Sequence, residues 1–297
     1  MGCTQCPRRC GADRARGERG ICGAADKLIV ARAAPHRWEE PPISGVRGSG
    51  AIFFSGCPLG CVFCQNRVLS RDGYGVEISE ERLGEIMLEL KEEGVHNINL
   101  VTPTHYSDII ARVLRRVKPV LGIPVVYNCG GFESVDSLRA LEGLVDIYLP
   151  DFKYASPELA AKYSAAPSYP SVAAAALREM HRQCKKAIFD DNGIMTRGVI
   201  VRHLVLPGCR HDSIEVLNKI AATVPVHDIK ISLMRQFTPD FVDKNTYPSL
   251  ARRLTTFEYQ SVVDHAARLG FDGYIQDAES ASAAYTPDFD LSGVRKA

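Results

Sequence analysis

The sequence predicts an α/β protein whose largely parallel sheet is covered by helices, and three observations carry that prediction. Six short runs, at residues 51–54, 97–101, 123–127, 145–149, 198–205 and 229–233, are apolar almost throughout. Each is followed by a stretch that can form a helix, the alternation expected of parallel strands joined by crossover helices. Polar residues collect just past the runs, where such sheets carry their chemistry. Periodicity alone leaves two architectures open, an α/β barrel and an open doubly wound sheet. No internal repeat is evident.

Composition sets the bounds. The chain has 297 residues, 45% of them hydrophobic and 24% charged, which describes a soluble globular protein with one large domain and an appendage. A net charge of +1 provides no global field to recruit nucleic acid or a membrane, so neither is expected as a partner. The N-terminus has no apolar leader region, no run of about 18 apolar residues occurs, and Gly2 lacks a Ser or Thr at position 6 for myristoylation. The expected location is the cytoplasm. Of the ten cysteines, seven fall in two clusters within the first 64 residues, a usage that fits metal ligation better than a disulfide framework. Cys129, Cys184 and Cys209 are scattered and read as small core residues.

Residues 1–48 form a segment of their own, with Cys3, Cys6, Cys10 and Cys22 set among arginines and glycines. Little apolar surface precedes Leu28, and ligation of a metal can supply the missing folding free energy. Zinc and a second iron-sulfur cluster both suit four cysteines, and the spacing does not choose between them. Free thiols are the less favoured alternative, because four cysteines in 20 residues make a closed ligand set. The excess of Arg8, Arg9, Arg14, Arg16 and Arg19 over Asp13 and Glu18 is either an anion-docking patch or, more commonly, a solvated face.

After the first run, the loop from Ser55 to Asn66 places Cys57, Cys61 and Cys64 within eight residues. Three soft ligands at this spacing imply a metal. Structural zinc needs a fourth ligand that the loop lacks, whereas an iron-sulfur cluster on three cysteines keeps one iron open. A zinc loop completed by a distant Cys or His is the alternative. Farther on, Ser79 caps a helix with Leu83, Ile86, Met87 and Leu90 on one face, Glu80 and Glu81 in its first turn and Gly94 at its stop. Further helices are expected near 107–117, 134–142, 171–186 and 212–222. The polar strand ends comprise Thr102-Pro103-Thr104-His105, Asn128-Cys129-Gly130-Gly131, Asp151-Phe152-Lys153, Arg202 with His203, and Met234-Arg235-Gln236-Phe237.

The loop's spacing of three residues and then two, with the aromatic Phe63 before the last cysteine, resembles the signature loop of the radical S-adenosylmethionine (radical SAM) superfamily. That resemblance implies a [4Fe-4S] cluster on Cys57, Cys61 and Cys64, with S-adenosylmethionine chelating its open iron. It also selects a partial (β/α)6 TIM-type barrel over residues 49–277, between the Cys-rich segment and a tail at 278–297. Asp151-Phe152-Lys153, and Arg202 with Leu206-Pro207-Gly208, resemble motifs of the pyruvate formate-lyase activating enzyme branch, particularly relatives with an N-terminal cysteine motif. In that branch a Gly-Gly-Glu type motif follows the second strand, and here Thr102-Pro103-Thr104-His105 stands in its place.

The implied reaction is reductive cleavage of S-adenosylmethionine to a 5'-deoxyadenosyl radical that abstracts hydrogen from a substrate. Asp151, Lys153 and Arg202 are the expected catalytic residues, and Thr104 and Asn128 join them as cofactor contacts. His203 reads as structural. The expected electron donor is a flavodoxin or ferredoxin. The substrate readings are a glycyl radical enzyme, another peptide or small molecule, and, least favoured, no substrate at all in a non-catalytic metal-binding scaffold.

Overall fold

A computed structural model of the chain describes residues 2–280 and 286–296. Met1, residues 281–285 and Ala297 lie outside the described residues, so the Cys-rich segment and the tail are covered only in part. The strands are β1 (Leu28–His36), β2 (Ser49–Phe54), β3 (Val76–Ile78), β4 (Ile98–Val101), β5 (Val125–Cys129), β6 (Ile147–Pro150), β7 (Ile188–Phe189), β8 (Met195–Leu204), β9 (Lys230–Met234) and β10 (Gly273–Ile275). The helices are α1 (Pro41–Ser44), α2 (Arg67–Ser70), α3 (Glu80–Glu92), α4 (Ser107–Leu121), α5 (Val135–Arg139), α6 (Pro157–Ser164), α7 (Tyr169–Cys184), α8 (Arg210–Thr223) and α9 (Thr256–Arg268).

One sheet runs in the order β10-β9-β8-β6-β5-β4-β2-β1-β3, with β7 added to β8. From β2 to β10 along this path the neighbours are parallel, and β1 and β3 are antiparallel additions. Among the described residues β3 and β10 end the path without pairing, so the sheet is not closed. Every residue of β2, β4, β5 and β6 is buried, which explains why these strands read as unbroken apolar runs. Helices cover them as expected: Ser79 accepts from the Arg82 N–H at the start of α3, whose Leu83, Ile86, Met87 and Leu90 are all buried.

Six strands were legible, and among the described residues the sheet has ten. The largest omission, β1, lies inside the 1–48 segment yet pairs along β2 from Val30 to His36. Its Arg32 and His36 interrupt the apolar pattern, and its partner β2 rather than its own composition decides its state. The tail comes back to the same strand, with Ala33 N–H donating to Ser292 O (2.8 Å), Leu291 N–H donating to Ala31 O (3.0 Å) and Arg32 paired with Asp290 (2.7 Å). No helix among the described residues is long and apolar enough to cross a membrane.

Candidate active site

The carboxyl ends of β2, β5, β6, β8 and β9 border a cavity of about 640 Å³. Such a volume suits a small-molecule or cofactor site. Cys61, Cys64, Asn128, Asp151, Lys153 and Arg202, six residues from four stretches distant in sequence, all line it.

The loop after β2 is fixed from both sides. Gly56 has φ +92°, and a Cβ there would stand 2.5 Å from Cys22 O, so only glycine lets the N-terminal segment approach this closely. His105 Nε2 lies 2.8 Å from Ser55 O, and Phe63 is buried edge-on against Tyr163 and Phe237. Donors point at all three sulfurs: Leu59 N–H at Cys57 (3.5 Å), the Ser164 hydroxyl at Cys61 (3.0 Å) and the Ser70 hydroxyl at Cys64 (3.3 Å). Burial, with the neighbouring Cys61 thiol, pushes Cys57 up to about 12. Among the described residues no three Cys, His, Asp or Glu side chains stand at the spacing of a single-ion cage. Partly buried thiols that accept hydrogen bonds, with Cys61 and Cys64 lining a cavity, fit an iron-sulfur cluster, whose potential such bonds adjust.

The same cavity holds a connected set of charges. Arg202 donates from Nε to Asp151 Oδ1 (3.0 Å), from Nη2 to Asn128 Oδ1 (2.6 Å) and from Nη1 to Glu39 Oε2 (3.3 Å). Lys153 Nζ donates to Asp151 Oδ2 (2.5 Å), while Asn99 and Asn128 both donate to Glu39 Oε1 (3.0 and 3.2 Å). Burial opposes the Asp151 charge, but Lys153 and Arg202 together outweigh it and hold the carboxyl below its ordinary range. The Lys153 ammonium is in turn held above its ordinary range, with Asp151 and Cys61 overcoming burial.

The backbone under these residues is equally constrained. Asp151 and Lys153 both face the cavity, and Phe152 between them is buried against Tyr169. The Tyr169 hydroxyl accepts from Lys153 N–H (2.9 Å) and donates toward the carbonyls of Gly130 and Asp151 (both 2.9 Å). Gly131, at φ +75°, lets the β5 loop cross so near that a Cβ would overlap Asp151 O at 2.0 Å.

Some expected residues are elsewhere. Thr104 is buried away from the cavity and donates to Glu133 Oε1 (2.6 Å), so it cannot contact a ligand there without leaving that bond. Its neighbour His105 is equally internal and held neutral, its pKa lowered by burial to about 4. His203 is buried with Nδ1 on Phe152 O (2.7 Å), a structural role as read. Cys129, Cys184 and Cys209 are buried as core residues. Of the arginine patch, Arg8 and Arg14 turn inward: Arg8 donates to Pro58 O (2.7 Å) and Ser164 O (2.9 Å), and Arg14 to Ala25 O (2.7 Å) and His105 O (2.6 Å). They dock the N-terminal segment instead of awaiting an anion.

Within that segment Cys6 and Cys22 are buried and Cys3 and Cys10 half-buried, and Cys3, Cys10 and Cys22 are mutual electrostatic neighbours. Sequence reading missed Glu39 and Glu40, which reach the cavity between β1 and α1. A pair of acidic residues before two prolines carries no spacing signal. It missed Glu133 and Tyr169 because their roles rest on bonds to distant residues.

A family model described as the radical SAM superfamily matches residues 51–217. An uncharacterized protein of Methanocaldococcus jannaschii is 27% identical over 283 residues, covering 91% of this chain and 75% of that protein. The fold resembles that of SuiB from Streptococcus suis, solved bound to its precursor peptide SuiA, with a TM-score of 0.51 and 10% identity over 74% of this chain and 46% of SuiB. SuiB bound to S-adenosylmethionine gives the same TM-score at 11% identity, over 74% of this chain and 48% of SuiB. This chain therefore spans about half the length of SuiB, and the likeness concerns the fold.

Proposed function

Since this chain belongs to the radical SAM superfamily, whose enzymes use a [4Fe-4S] cluster and S-adenosylmethionine, we propose that Cys57, Cys61 and Cys64 hold the cluster and that the adjoining cavity receives S-adenosylmethionine and a substrate. The observation that carries the reading is the shared cavity, which Cys61 and Cys64 line together with the Asp151-Lys153-Arg202 set. When bound, the cluster and S-adenosylmethionine supply a 5'-deoxyadenosyl radical that takes a hydrogen atom from the substrate.

The chain's own residues bind and orient. Lys153 faces Cys61 and presents its ammonium to a ligand carboxylate, while Asp151 fixes its position. Arg202 and Asn128, each with a second partner in Glu39, hold their part of the wall rigid. The apolar side chains of Phe63, Val101, Leu204 and Met234 line the same cavity and exclude water from it. Ser70 and Ser164 keep their hydroxyls on the sulfurs.

In this reading the seven parallel strands make a partial barrel around the cavity, residues 1–48 dock as a metal-supported segment on Cys3, Cys6, Cys10 and Cys22, and the enzyme works in the cytoplasm with a flavodoxin or ferredoxin as donor. Activation of a glycyl radical enzyme is supported by Asp151, Lys153 and Arg202 facing the cavity together. Action on another peptide or small molecule is favoured by the burial of Thr104 and His105 where that branch has its Gly-Gly-Glu type motif. The test is anaerobic reconstitution followed by dithionite reduction. A [4Fe-4S]+ EPR signal that changes on adding S-adenosylmethionine is expected, and a signal indifferent to it would refute the reading.

A further inference from the structure

The wall of the cavity formed by the segment between β1 and α1 is acidic beyond what its partners neutralise. Ile43 of α1, just after that segment, is buried with Val126, Ile147, Leu149, Met195 and Ile200, which anchors the two glutamates before it against β5, β6 and β8. Among the described residues the buried charged side chains facing the cavity are the carboxylates Glu39, Glu40 and Asp151 and the cations Lys153 and Arg202. Asp151 is paired with both cations, and Glu39 with Arg202, Asn99 and Asn128.

Glu40 is the carboxylate left over. It is 9% exposed, and although it faces the Ser232 hydroxyl, its Oε2 is buried with no hydrogen-bond partner among the described residues. His36, which also lines the cavity, is held neutral by burial and the nearby Arg32, and Asp277 at the exposed rim only adds negative charge. A buried acceptor without a partner is costly, and so is an uncompensated buried charge. Burial pushes Glu40 above the usual carboxylate range despite the opposing Arg202, so a bound cation would restore the ionised form.

The cavity has two electrically distinct ends. Lys153 interacts with Cys61 and Cys64 at the thiol end, whereas the main charged neighbours of Glu40 are Arg202 and Glu39. A cofactor held through Cys57, Cys61 and Cys64 would take the thiol end, beside Lys153, and would leave the Glu40 end to the substrate. We propose that Glu40 anchors the substrate by a cationic nitrogen, a protonated amine or a guanidinium, and that the substrate spans from Glu40 toward the thiols. The inference rests on the reading that Cys57, Cys61 and Cys64 hold the cluster.

The experiment is calorimetric titration of reconstituted protein, kept oxidised with S-adenosylmethionine present, using 1,5-diaminopentane and its neutral isostere 1,5-pentanediol as probes. A charged hydrogen bond to Glu40 makes the diamine bind at least about tenfold tighter than the diol. Glu40→Gln removes that preference and Glu40→Asp keeps part of it, with both variants retaining the wild-type melting temperature or better. The EPR response of Glu40→Gln to S-adenosylmethionine stays as in the wild type. The inference is overturned by equal affinity for the two probes in the wild type, by a preference that survives Glu40→Gln, or by loss of the response to S-adenosylmethionine in that variant. An EPR response missing already in the wild type would instead refute the cluster reading.

Discussion

The backbone N–H of Cys57 donates to the carbonyl of Cys22 across 3.0 Å, which joins the last cysteine of the N-terminal segment to the first cysteine of the signature loop. Gly56 makes that approach possible, since a Cβ there would meet Cys22 O at 2.5 Å and strain a backbone at φ +92°. Gly56→Ala should cost about 1–3 kcal/mol in stability and displace both cysteine sets. Iron content after reconstitution should fall well below the wild-type value, and full loading of the variant would show that the two segments are independent.

Metal counting separates the alternatives for the N-terminal cysteines. With Cys57, Cys61 and Cys64 all changed to Ala, the protein should keep a metal on Cys3, Cys6, Cys10 and Cys22. Retention of about one zinc with almost no iron identifies a structural zinc site, and a brown, iron-containing variant identifies a second cluster. Should the quadruple variant of these four lose no metal and no stability, free thiols are the answer.

Asp151 and Lys153 form an ion pair with side chains only 15% and 16% exposed, so they differ from a solvated surface pair. Lys153→Met leaves Asp151 paired with Arg202 and should lower 5'-deoxyadenosine production at least tenfold with little change in melting. Asp151→Asn strands Lys153 in a buried site and should also cost stability, on the order of 1–3 kcal/mol. Unchanged turnover in both variants would reduce the pair to a structural role.

Glu133 adds a pH dependence that is measurable without any cofactor. Burial raises its carboxyl from 4.5 to about 7, against the hydrogen bonds from Thr104 and Tyr127. The folded protein therefore binds the proton more tightly than the unfolded chain between these values. Stability falls as pH rises from about 4.5 to about 7 and levels off above it, a loss of about 3 kcal/mol in all. Glu133→Gln should flatten that slope and melt higher than the wild type at pH 8, as followed by denaturant titration across pH. An identical slope in the variant would assign the dependence to other groups.

The sequence by itself determined the parallel α/β core and the thiol loop. Buried parallel strands are apolar along their length, and three ligands on one short loop are local in the chain, so both leave a signal in adjacent residues. The pairing of Asp151 and Lys153 on one face was equally legible, because alternation along an extended segment is also local. Only the tertiary structure decided that Thr104 turns to Glu133 and away from the cavity, that β1 enters the sheet, and that Glu39 and Glu40 line the same cavity as the thiols. Each of those outcomes depends on partners far away in the sequence, Asn128 and Arg202 for Glu39, β2 for β1. The charge balance of the cavity is likewise a sum over three stretches, at Glu39-Glu40, Asp151 to Lys153 and Arg202, and no single one carries it.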